Sequence, residues 1–274
     1  MNETRKQELA RLARNIRMGV VESIFHAKAG HPGGSLSAAD LMAYLYFEQM
    51  RVDPQNPKWE ERDRFVLSKG HAAPVLYATL AHKGFFPVED LKTLRKNGSY
   101  LQGHPSMKLC PGVDMSTGSL GQGISAAVGM ALGAKLNGSD VMTYTLLGDG
   151  ELEEGQVWEA AMFAAAKGLS NLVAIIDNNN LQIDGTLEEV NSPYPIPEKF
   201  AAFSWHVIEI DGHDFDELEA AFKQIAQDKP TAIVMKTVKG KGVSFMENNV
   251  NWHGAAPKEE QYTLAMQELE VSHG

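Results

Sequence analysis

The stretch from Val141 to Gly185 contains two short apolar runs, each followed by a polar turn, with a helix-forming segment between them. The first run ends at Gly148-Asp149-Gly150, and the second, Leu172 to Ile176, leads into Asp177-Asn178-Asn179-Asn180. β-Branched and aromatic residues in the first run are typical of a strand. The Ala-rich segment between the runs has acidic residues near its start, as the helix dipole favours, and Gly168 is its expected C-terminal stop. This pattern predicts strand, turn, helix and strand within a parallel sheet.

The two turns are expected to meet at one edge of the sheet. Parallel strands joined by one helix usually lie side by side, about 4.8 Å apart, with a right-handed crossover. Asp149 should therefore lie beside Asn178 and Asn179, next to the amino end of a helix that begins near Glu154. Carboxylate, amide and carbonyl oxygens suit a hard cation such as Mg²⁺, and the helix N-terminus and glycine turn offer N–H groups to a phosphate. In an open α/β sheet ligands bind at this edge, so the residues predict a metal–diphosphate site.

Each turn also has an ordinary structural explanation. Gly-Asp-Gly after a strand and a run of Asp and Asn are both common turn compositions. The pair is more informative than either turn alone, because the two turns follow consecutive strands.

The composition limits the possible architectures and partners. With 274 residues, 43% of them hydrophobic, the chain can bury a large core. We expect residues 1–274 to form one α/β domain with three layers, α/β/α, around a mostly parallel sheet. The formal charge of −10, without a basic cluster, argues against nucleic acid or an anionic membrane as partner. One cysteine, no signal peptide and no transmembrane run predict a cytoplasmic location.

Periodicity and turn residues predict the remaining elements. Apolar residues at three- and four-residue steps indicate an amphipathic helix over residues 4–29, ended by Gly30. We interpret His31-Pro32-Gly33-Gly34 as a rigid turn outside any helix, and Ser37 with Asp40 as a capping box for a helix over 38–49. Further strands are predicted at 65–67, 205–210 and 231–238, and further helices at 74–82, 91–95, 124–136, 216–227 and from 258 onwards.

Two segments leave alternatives open. In the helix over 124–136, small residues recur every fourth position at Ser125, Gly129 and Gly133. Such a face lets another backbone approach closely, so core packing and an interface with another chain are weighed equally. Lys239-Gly-Lys-Gly242 looks like a phosphate loop but lacks the Walker spacing, and we interpret it as a mobile turn.

Several motifs together resemble the transketolase family. Gly148-Asp149-Gly150 followed by Asn178-Asn179 resembles the thiamine diphosphate fingerprint. The order and spacing of these and five other stretches match the amino-terminal third to half of proteins in that family, over nearly the whole of this chain. The other matching stretches are Ala29-Gly-His31-Pro-Gly-Gly34, Leu67-Ser-Lys-Gly70-His71, Gly103-His104-Pro105, Thr117-Gly118-Ser119-Leu120-Gly121-Gln122-Gly123 and Trp252-His253-Gly254.

The resemblance implies a thiamine diphosphate cofactor bound through Mg²⁺, with Ca²⁺ or Mn²⁺ as possible substitutes. It assigns the metal to Asp149, Asn179 and the backbone carbonyl of Leu181, with Gly150 close to the diphosphate. By the same resemblance the residues that contact the cofactor are Gly118, Ser119 and Leu120 at the aminopyrimidine, Ile183 against the rings, and His71 and His253 at the diphosphate.

The resemblance also implies roles in proton transfer. His31, His71, His104 and His253 match family histidines that act as general acid–base groups at the substrate. An unperturbed histidine pKa near 6.5 would suit that task. Glu154 matches a buried family glutamate that contacts the facing site of a second protomer, although its plain explanation is a first-turn acid stabilised by the helix dipole.

Family transketolases are more than twice this length, and the pattern of their second domain does not occur here. The hypothesis is therefore a split enzyme, in which a separate pyrimidine-binding chain completes the site in an α2β2 assembly acting on sugar phosphates. Two alternatives stay open. One is another thiamine enzyme, a deoxyxylulose-phosphate synthase or a 2-oxoacid dehydrogenase α chain, against which the Gly-His-Pro and Trp-His-Gly motifs argue. The other is a non-catalytic cofactor binder, against which retention of all four motif histidines argues. An unusual ketose, branched-chain or sulfonated, remains a possible substrate.

Overall fold

A computed structural model describes residues 1–271, so the last three residues of the predicted domain lie outside the described part. The strands in this part are β1 (Arg64–Leu67), β2 (Thr143–Gly148), β3 (Leu172–Asn178), β4 (His206–Asp211) and β5 (Thr231–Lys236). They form one sheet in the order β1-β2-β3-β5-β4, and every neighbouring pair is parallel.

The helices pack on both sides of this sheet. They are α1 (Glu3–Ala27), α2 (Pro32–Leu36), α3 (Ala39–Tyr44), α4 (Ala73–Lys83), α5 (Gln122–Leu136), α6 (Gly155–Ala166), α7 (Leu187–Val190), α8 (Ile196–Ala202), α9 (Phe215–Lys223) and α10 (Glu259–Val271). A π-helical turn, Leu45–Gln49, continues α3, and 3₁₀ turns occur at Gly70–Ala72, Val88–Thr93, Gly150–Glu153 and Val250–Trp252. No helix within residues 1–271 is both long and apolar enough to cross a bilayer.

Successive residues of the central strands face two separate apolar layers. In β3, Val173 and Ile175 pack with residues of α1, α3, α4, α9 and α10, whereas Ala174 and Ile176 pack with residues of α5, α6 and α8. A strand covered on both faces reads as a continuous apolar run, as β3 does, and in β2 the alternating residues Thr143 and Thr145 are buried as well. The predicted three-layer α/β/α fold with a parallel sheet is confirmed.

The central unit has the predicted order, with one addition. A 3₁₀ turn, Gly150–Glu153, separates β2 from α6, so α6 begins at Gly155 rather than at Glu154. The predicted stop at Gly168 is borne out, since this glycine adopts φ +56° one residue after the C-cap of α6. The predicted strands over 65–67, 205–210 and 231–238 correspond to β1, β4 and β5 with shifted ends.

Two predictions near the amino terminus are wrong in detail. Helix α1 ends at Ala27, and Lys28, not Gly30, is its left-handed C-cap with φ 53°. Pro32 does not exclude a helix but begins the short helix α2. Proline is tolerated at the first helical position because its missing N–H would have no intrahelical partner there.

The predicted capping box is also wrong. No side chain caps α3, whose N-cap residue is Ala38. Ser37 donates instead to Asp177 on β3 over 2.6 Å, and Asp40 accepts two hydrogen bonds from Arg17 of α1. Ser37 and Asp40 therefore bond to residues that are distant in sequence, and neither side chain caps α3.

Helix α5 carries glycines in very different surroundings. A Cβ at Gly123 would lie 2.5 Å from the Cα of Ser68, whereas a Cβ at Gly129 or Gly133 would meet no atom within 4 Å among the described residues. The small-residue face of α5 is therefore not packed against this chain's own core. The interface alternative stays a prediction.

These glycines give a matched test of the packing. We expect Gly123→Ala to lower the free energy of unfolding by about 1–3 kcal/mol, because the added methyl group would clash with the backbone of Ser68, directly after β1. Gly129→Ala should raise it by about 0.5–1 kcal/mol, because alanine is the better helix former at an open position. Urea unfolding of this chain alone measures both changes. Similar effects of the two substitutions would contradict the close contact at Gly123.

Candidate active site

A cavity of about 230 Å³ opens at the carboxyl ends of β1, β2 and β3. It brings together ten of the predicted site residues, which come from six separate segments of the chain. These are His31, His71, Gly118, Leu120, Asp149, Gly150, Asn179, Leu181, Ile183 and His253. The other predicted residues, Ser119, His104 and Glu154, are exposed and do not line the cavity.

Asp149 is a buried acid that forms no salt bridge with any residue in the described part of the chain. Its carboxylate accepts hydrogen bonds from the N–H groups of Gly150, at 2.9 Å, and Asn180, at 2.6 Å. Burial, followed by the negative charge of Asp177, raises the pKa of Asp149 to about 7. A bound cation would relieve this unfavourable charge, so the environment of Asp149 fits a metal ligand.

Asn179 and Leu181 supply neutral oxygens to the same cavity. The Asn179 amide donates through Nδ2 to Asp177 over 3.3 Å and accepts the Leu181 N–H at Oδ1 over 3.2 Å. The Leu181 carbonyl accepts a hydrogen bond of 2.8 Å from the Lys239 ammonium, which shows that this oxygen already faces a positive charge. One carboxylate, one amide and one carbonyl fit Mg²⁺. No cluster of three or more His, Cys, Asp or Glu side chains suited to a metal occurs among residues 1–271.

Asn178 was expected beside Asp149 but its side chain bonds elsewhere. Its Oδ1 accepts a hydrogen bond of 2.7 Å from the Tyr194 hydroxyl, and the residue lines a separate groove. Successive side chains of a strand point to opposite faces, so only Asn179 of this pair reaches the cavity.

Lys239 is a site residue that the sequence analysis missed. The residue is only 2% exposed, although the segment that contains it was interpreted as a mobile turn. Its Nζ lies 2.8 Å from the Leu181 carbonyl and 3.1 Å from Nδ1 of His253. Burial lowers the pKa of Lys239 to about 8. The available signal was its position just after β5, but chain order alone does not reveal that β5 lies next to β3.

Asp177 and Lys69 form a buried ion pair behind the predicted metal ligands. Asp177 also accepts hydrogen bonds from the hydroxyls of Ser37 and Thr237, and Lys69 donates to the Gly34 carbonyl over 2.7 Å. Burial opposes ionisation of Asp177, but the Lys69 ammonium and these donors outweigh it and lower its pKa. The pair therefore ties β3, α2 and the end of β1 together beneath the cavity.

Among residues 1–271, Glu151 rather than Glu154 is the buried glutamate. Its carboxylate accepts hydrogen bonds from Ser68 at 2.5 Å, Gly121 at 2.9 Å and Gly148 at 3.0 Å, and it lines the cavity. Burial nevertheless raises the pKa of Glu151. Glu154 lies at the surface, at the N-cap of α6.

Three of the predicted histidines form a cluster. The ring centroids of His31, His71 and His253 lie 5.2 to 5.4 Å apart. Burial, aided by nearby positive charges, lowers the pKa of all three, and that of His253 reaches about 3. The pKa of each of these three histidines therefore lies below the unperturbed value near 6.5. Neutral imidazoles can accept protons, and Nδ1 of His31 is buried without a hydrogen-bond partner among the described residues.

His104 lies apart from the cluster, at the rim. Its ring rests against Gly118, where an added Cβ would come within 3.1 Å of the ring. Gly118 also has φ +150°, a conformation that side chains rarely allow. Burial, and then the charge of Arg95, lowers the pKa of His104. A glycine is thus needed for the loop to present this histidine beside the cavity.

Comparisons with known proteins agree with the fold and the motifs. The family described as transketolase, thiamine diphosphate binding domain, matches residues 8–272. The 6-deoxy-6-sulfo-D-fructose transketolase subunit of Clostridium sp. (strain MSTE9) is 49% identical and covers 96% of each chain. One subunit of the apulose-4-phosphate transketolase of Phocaeicola vulgatus is 47% identical over 92% of this chain and 90% of its own length.

A solved structure matches as well. Transketolase from Leishmania mexicana superimposes with a TM-score of 0.90 at 34% identity, over 97% of this chain and 42% of the longer one. This chain thus spans less than half of that protein. The matches confirm the family that the sequence motifs indicated.

Proposed function

This chain belongs to the transketolase family, and we propose that it is the diphosphate-binding subunit of a two-chain transferase. The proposed reaction moves a two-carbon ketol unit from a ketose phosphate to an aldose phosphate. The observation that carries the proposal is the single cavity in which Asp149, Asn179 and the Leu181 carbonyl meet the histidine cluster.

Thiamine diphosphate, when bound, supplies the carbanion chemistry of such a transfer. We assign its metal ion, Mg²⁺ or in its place Ca²⁺ or Mn²⁺, to Asp149, Asn179 and the Leu181 carbonyl. The diphosphate is assigned to Gly150, His71, His253 and the Lys239 ammonium, the buried cation next to Leu181. The proposed contacts to the rings are Gly118, Ser119, Leu120 and Ile183.

The histidines are proposed to handle protons at the substrate. His31, His71 and His253 lie together in the cavity and are proposed to exchange protons with sugar hydroxyls. Burial lowers their pKa and so opposes proton uptake, whereas the negative charge of a bound diphosphate would raise it. His104 is proposed to act from the exposed rim, beside Gly118. Glu154, exposed in this chain, is proposed to contact the facing site of an assembled enzyme.

A separate pyrimidine-binding chain is proposed to complete the site in an α2β2 assembly. Two relatives named as transketolase subunits align with this chain over 96% and 90% of their lengths. The exposed apolar rim also supports a partner, because Ile183 is 62% exposed beside the cavity. A second chain packed over this rim would remove that apolar surface from water.

The assay of ketol transfer tests this proposal. Xylulose 5-phosphate and ribose 5-phosphate are supplied with Mg²⁺ and thiamine diphosphate, first to this chain alone and then after adding the pyrimidine-half protein from the same source. We expect turnover only in the mixture, because a cofactor bound by this chain alone lacks the contacts that the pyrimidine-binding chain is proposed to make to its aminopyrimidine. Full turnover by a homogeneous preparation of this chain would refute the two-chain proposal.

A second candidate function is the same ketol transfer with a different sugar as donor. The two bacterial relatives described above are named for 6-deoxy-6-sulfo-D-fructose and apulose 4-phosphate, which favours an unusual ketose as donor. The assembled enzyme should therefore be given these two donors in parallel with xylulose 5-phosphate, and the ratio of kcat/KM values identifies the preferred one. Decarboxylation of pyruvate instead would indicate a different thiamine enzyme. Tight cofactor binding without turnover on any donor would indicate a non-catalytic binder.

A further inference from the structure

His213, in the Asp211-Gly-His-Asp214 turn after β4, uses both ring nitrogens in hydrogen bonds. Nδ1 lies 2.7 Å from the Asp40 carboxylate, and Nε2 accepts the backbone N–H of Val238 over 2.9 Å. The side chain is 13% exposed and lies outside the cavity described above. This histidine therefore bridges two segments, α3 and the loop after β5, that are far apart in sequence.

The two partners fix the tautomer of the ring. The Val238 N–H can only donate, so Nε2 must carry a lone pair. Nδ1 then carries the hydrogen and donates it to Asp40. A carboxylate that accepts a hydrogen bond from one ring nitrogen fixes the orientation of the ring, as it does for histidines that bind metals. The other ring nitrogen can then hold its own partner at one position.

Asp40 is itself held firmly. Both of its oxygens accept hydrogen bonds from the guanidinium of Arg17 on α1, the bidentate geometry that is strongest for this pair. Burial opposes its ionisation, but Arg17 and His213 outweigh that effect and lower the pKa of Asp40 to about 2. The carboxylate thus remains a charged and immobile acceptor for His213.

Val238 immediately precedes Lys239, whose ammonium reaches the Leu181 carbonyl in the cavity. On the other side of Lys239, the Gly240 N–H donates to the Gly33 carbonyl over 3.0 Å. The backbone that carries Lys239 is therefore held on both sides by groups from other elements. We propose that His213 is a positioning residue, which holds the Lys239 loop so that its ammonium faces the bound diphosphate.

This inference rests on the proposed function, and two matched variants test it. In His213→Asn the shorter amide can still donate to Asp40 but leaves the Val238 N–H without its acceptor. In His213→Gln the longer amide can still accept from Val238 but loses the donor to Asp40. The readout is the dissociation constant of thiamine diphosphate with Mg²⁺, measured by calorimetry on the assembled two-chain enzyme, together with the Tm of each variant.

We expect His213→Asn to weaken cofactor binding about tenfold, the low end for loss of an outer-shell partner, and His213→Gln to keep affinity nearer to wild type. Adding His213→Asn to Lys239→Ala should cause little further loss, because His213 acts through the Lys239 contact. Equal affinities in the Asn and Gln variants, or fully additive losses with Lys239→Ala, would overturn the proposal. Wild-type enzyme that binds no cofactor would instead refute the proposed function.

The wild-type chain provides a test that needs no variant. In a ¹⁵N NMR spectrum of the histidine side chains, His213 should be the Nδ1–H tautomer, with an unprotonated Nε2. An Nε2–H tautomer or a doubly protonated ring at neutral pH would refute the bond to Val238, and with it the proposal, whether or not the cofactor binds.

Discussion

Replacing Asp149 with alanine is expected to abolish Mg²⁺-dependent binding of thiamine diphosphate, with a loss of affinity greater than about 100-fold, or about 2.7 kcal/mol. Asp149 is the only acid among the three proposed metal ligands, so it alone supplies negative charge to the ion. Its pKa of about 7, raised by burial and by Asp177, shows how poorly the chain by itself stabilises the ionised form. Calorimetric titration of the assembled enzyme, with and without Mg²⁺, measures the effect.

Two controls separate the metal from a loss of structure. Asp140→Ala removes an aspartate that is 82% exposed and pairs with Arg51 at the surface, so it should change neither cofactor affinity nor stability measurably. Asp149→Asn should lose metal binding. It removes the buried charge but turns an NH2 group towards one of the two N–H donors, Gly150 or Asn180, so its Tm is measured beside its cofactor affinity. Equal cofactor affinity in wild type and Asp149→Ala would remove the metal assignment.

Replacing Asp177 with alanine is expected to lower the free energy of unfolding by about 3–5 kcal/mol, the usual cost of leaving one charge of a buried ion pair alone. The Lys69 side chain is only 2% exposed, so water cannot take over as its partner. The hydroxyls of Ser37 and Thr237 would lose their acceptor as well. Urea unfolding measures the change.

A surface pair and a double variant are the matched controls. Lys92→Ala breaks the pair between Lys92 and Glu22, in which Lys92 is 48% exposed, and should cost no more than about 1 kcal/mol. Lys69→Met combined with Asp177→Asn removes both charges and should recover much of the loss, because no unpaired ion remains. A cost for Asp177→Ala no larger than that for Lys92→Ala would show that the buried pair contributes little.

Local patterns were sufficient to predict most elements of the fold. The apolar runs that became β2 and β3 are covered on both faces, and such runs can be recognised without knowing their neighbours. The meeting of Asp149 with Asn179 could also be predicted, because consecutive parallel strands joined by one helix are adjacent. The roles assigned to these residues remain predictions until the metal and cofactor are measured.

Local reasoning failed where a side chain had a distant partner. Ser37 and Asp40 have the spacing of a capping box, yet they bond to Asp177 and Arg17. The pKa values of the clustered histidines could not be predicted locally either. Burial of His31, His71 and His253 in one cluster lowers their pKa, and this burial is produced by segments that are far apart in the sequence.

The strand–turn–helix–strand unit, the family and the edge of the sheet that carries the candidate site could all be predicted from the sequence. Those features depend on residues close together in the chain or on motifs of specific spacing. The position of β5 between β3 and β4 could not be predicted from the sequence. It brings Lys239 to Leu181 and Thr237 to Asp177. Strand order is set by how whole layers pack around the core, so the partners it creates are absent from any local pattern.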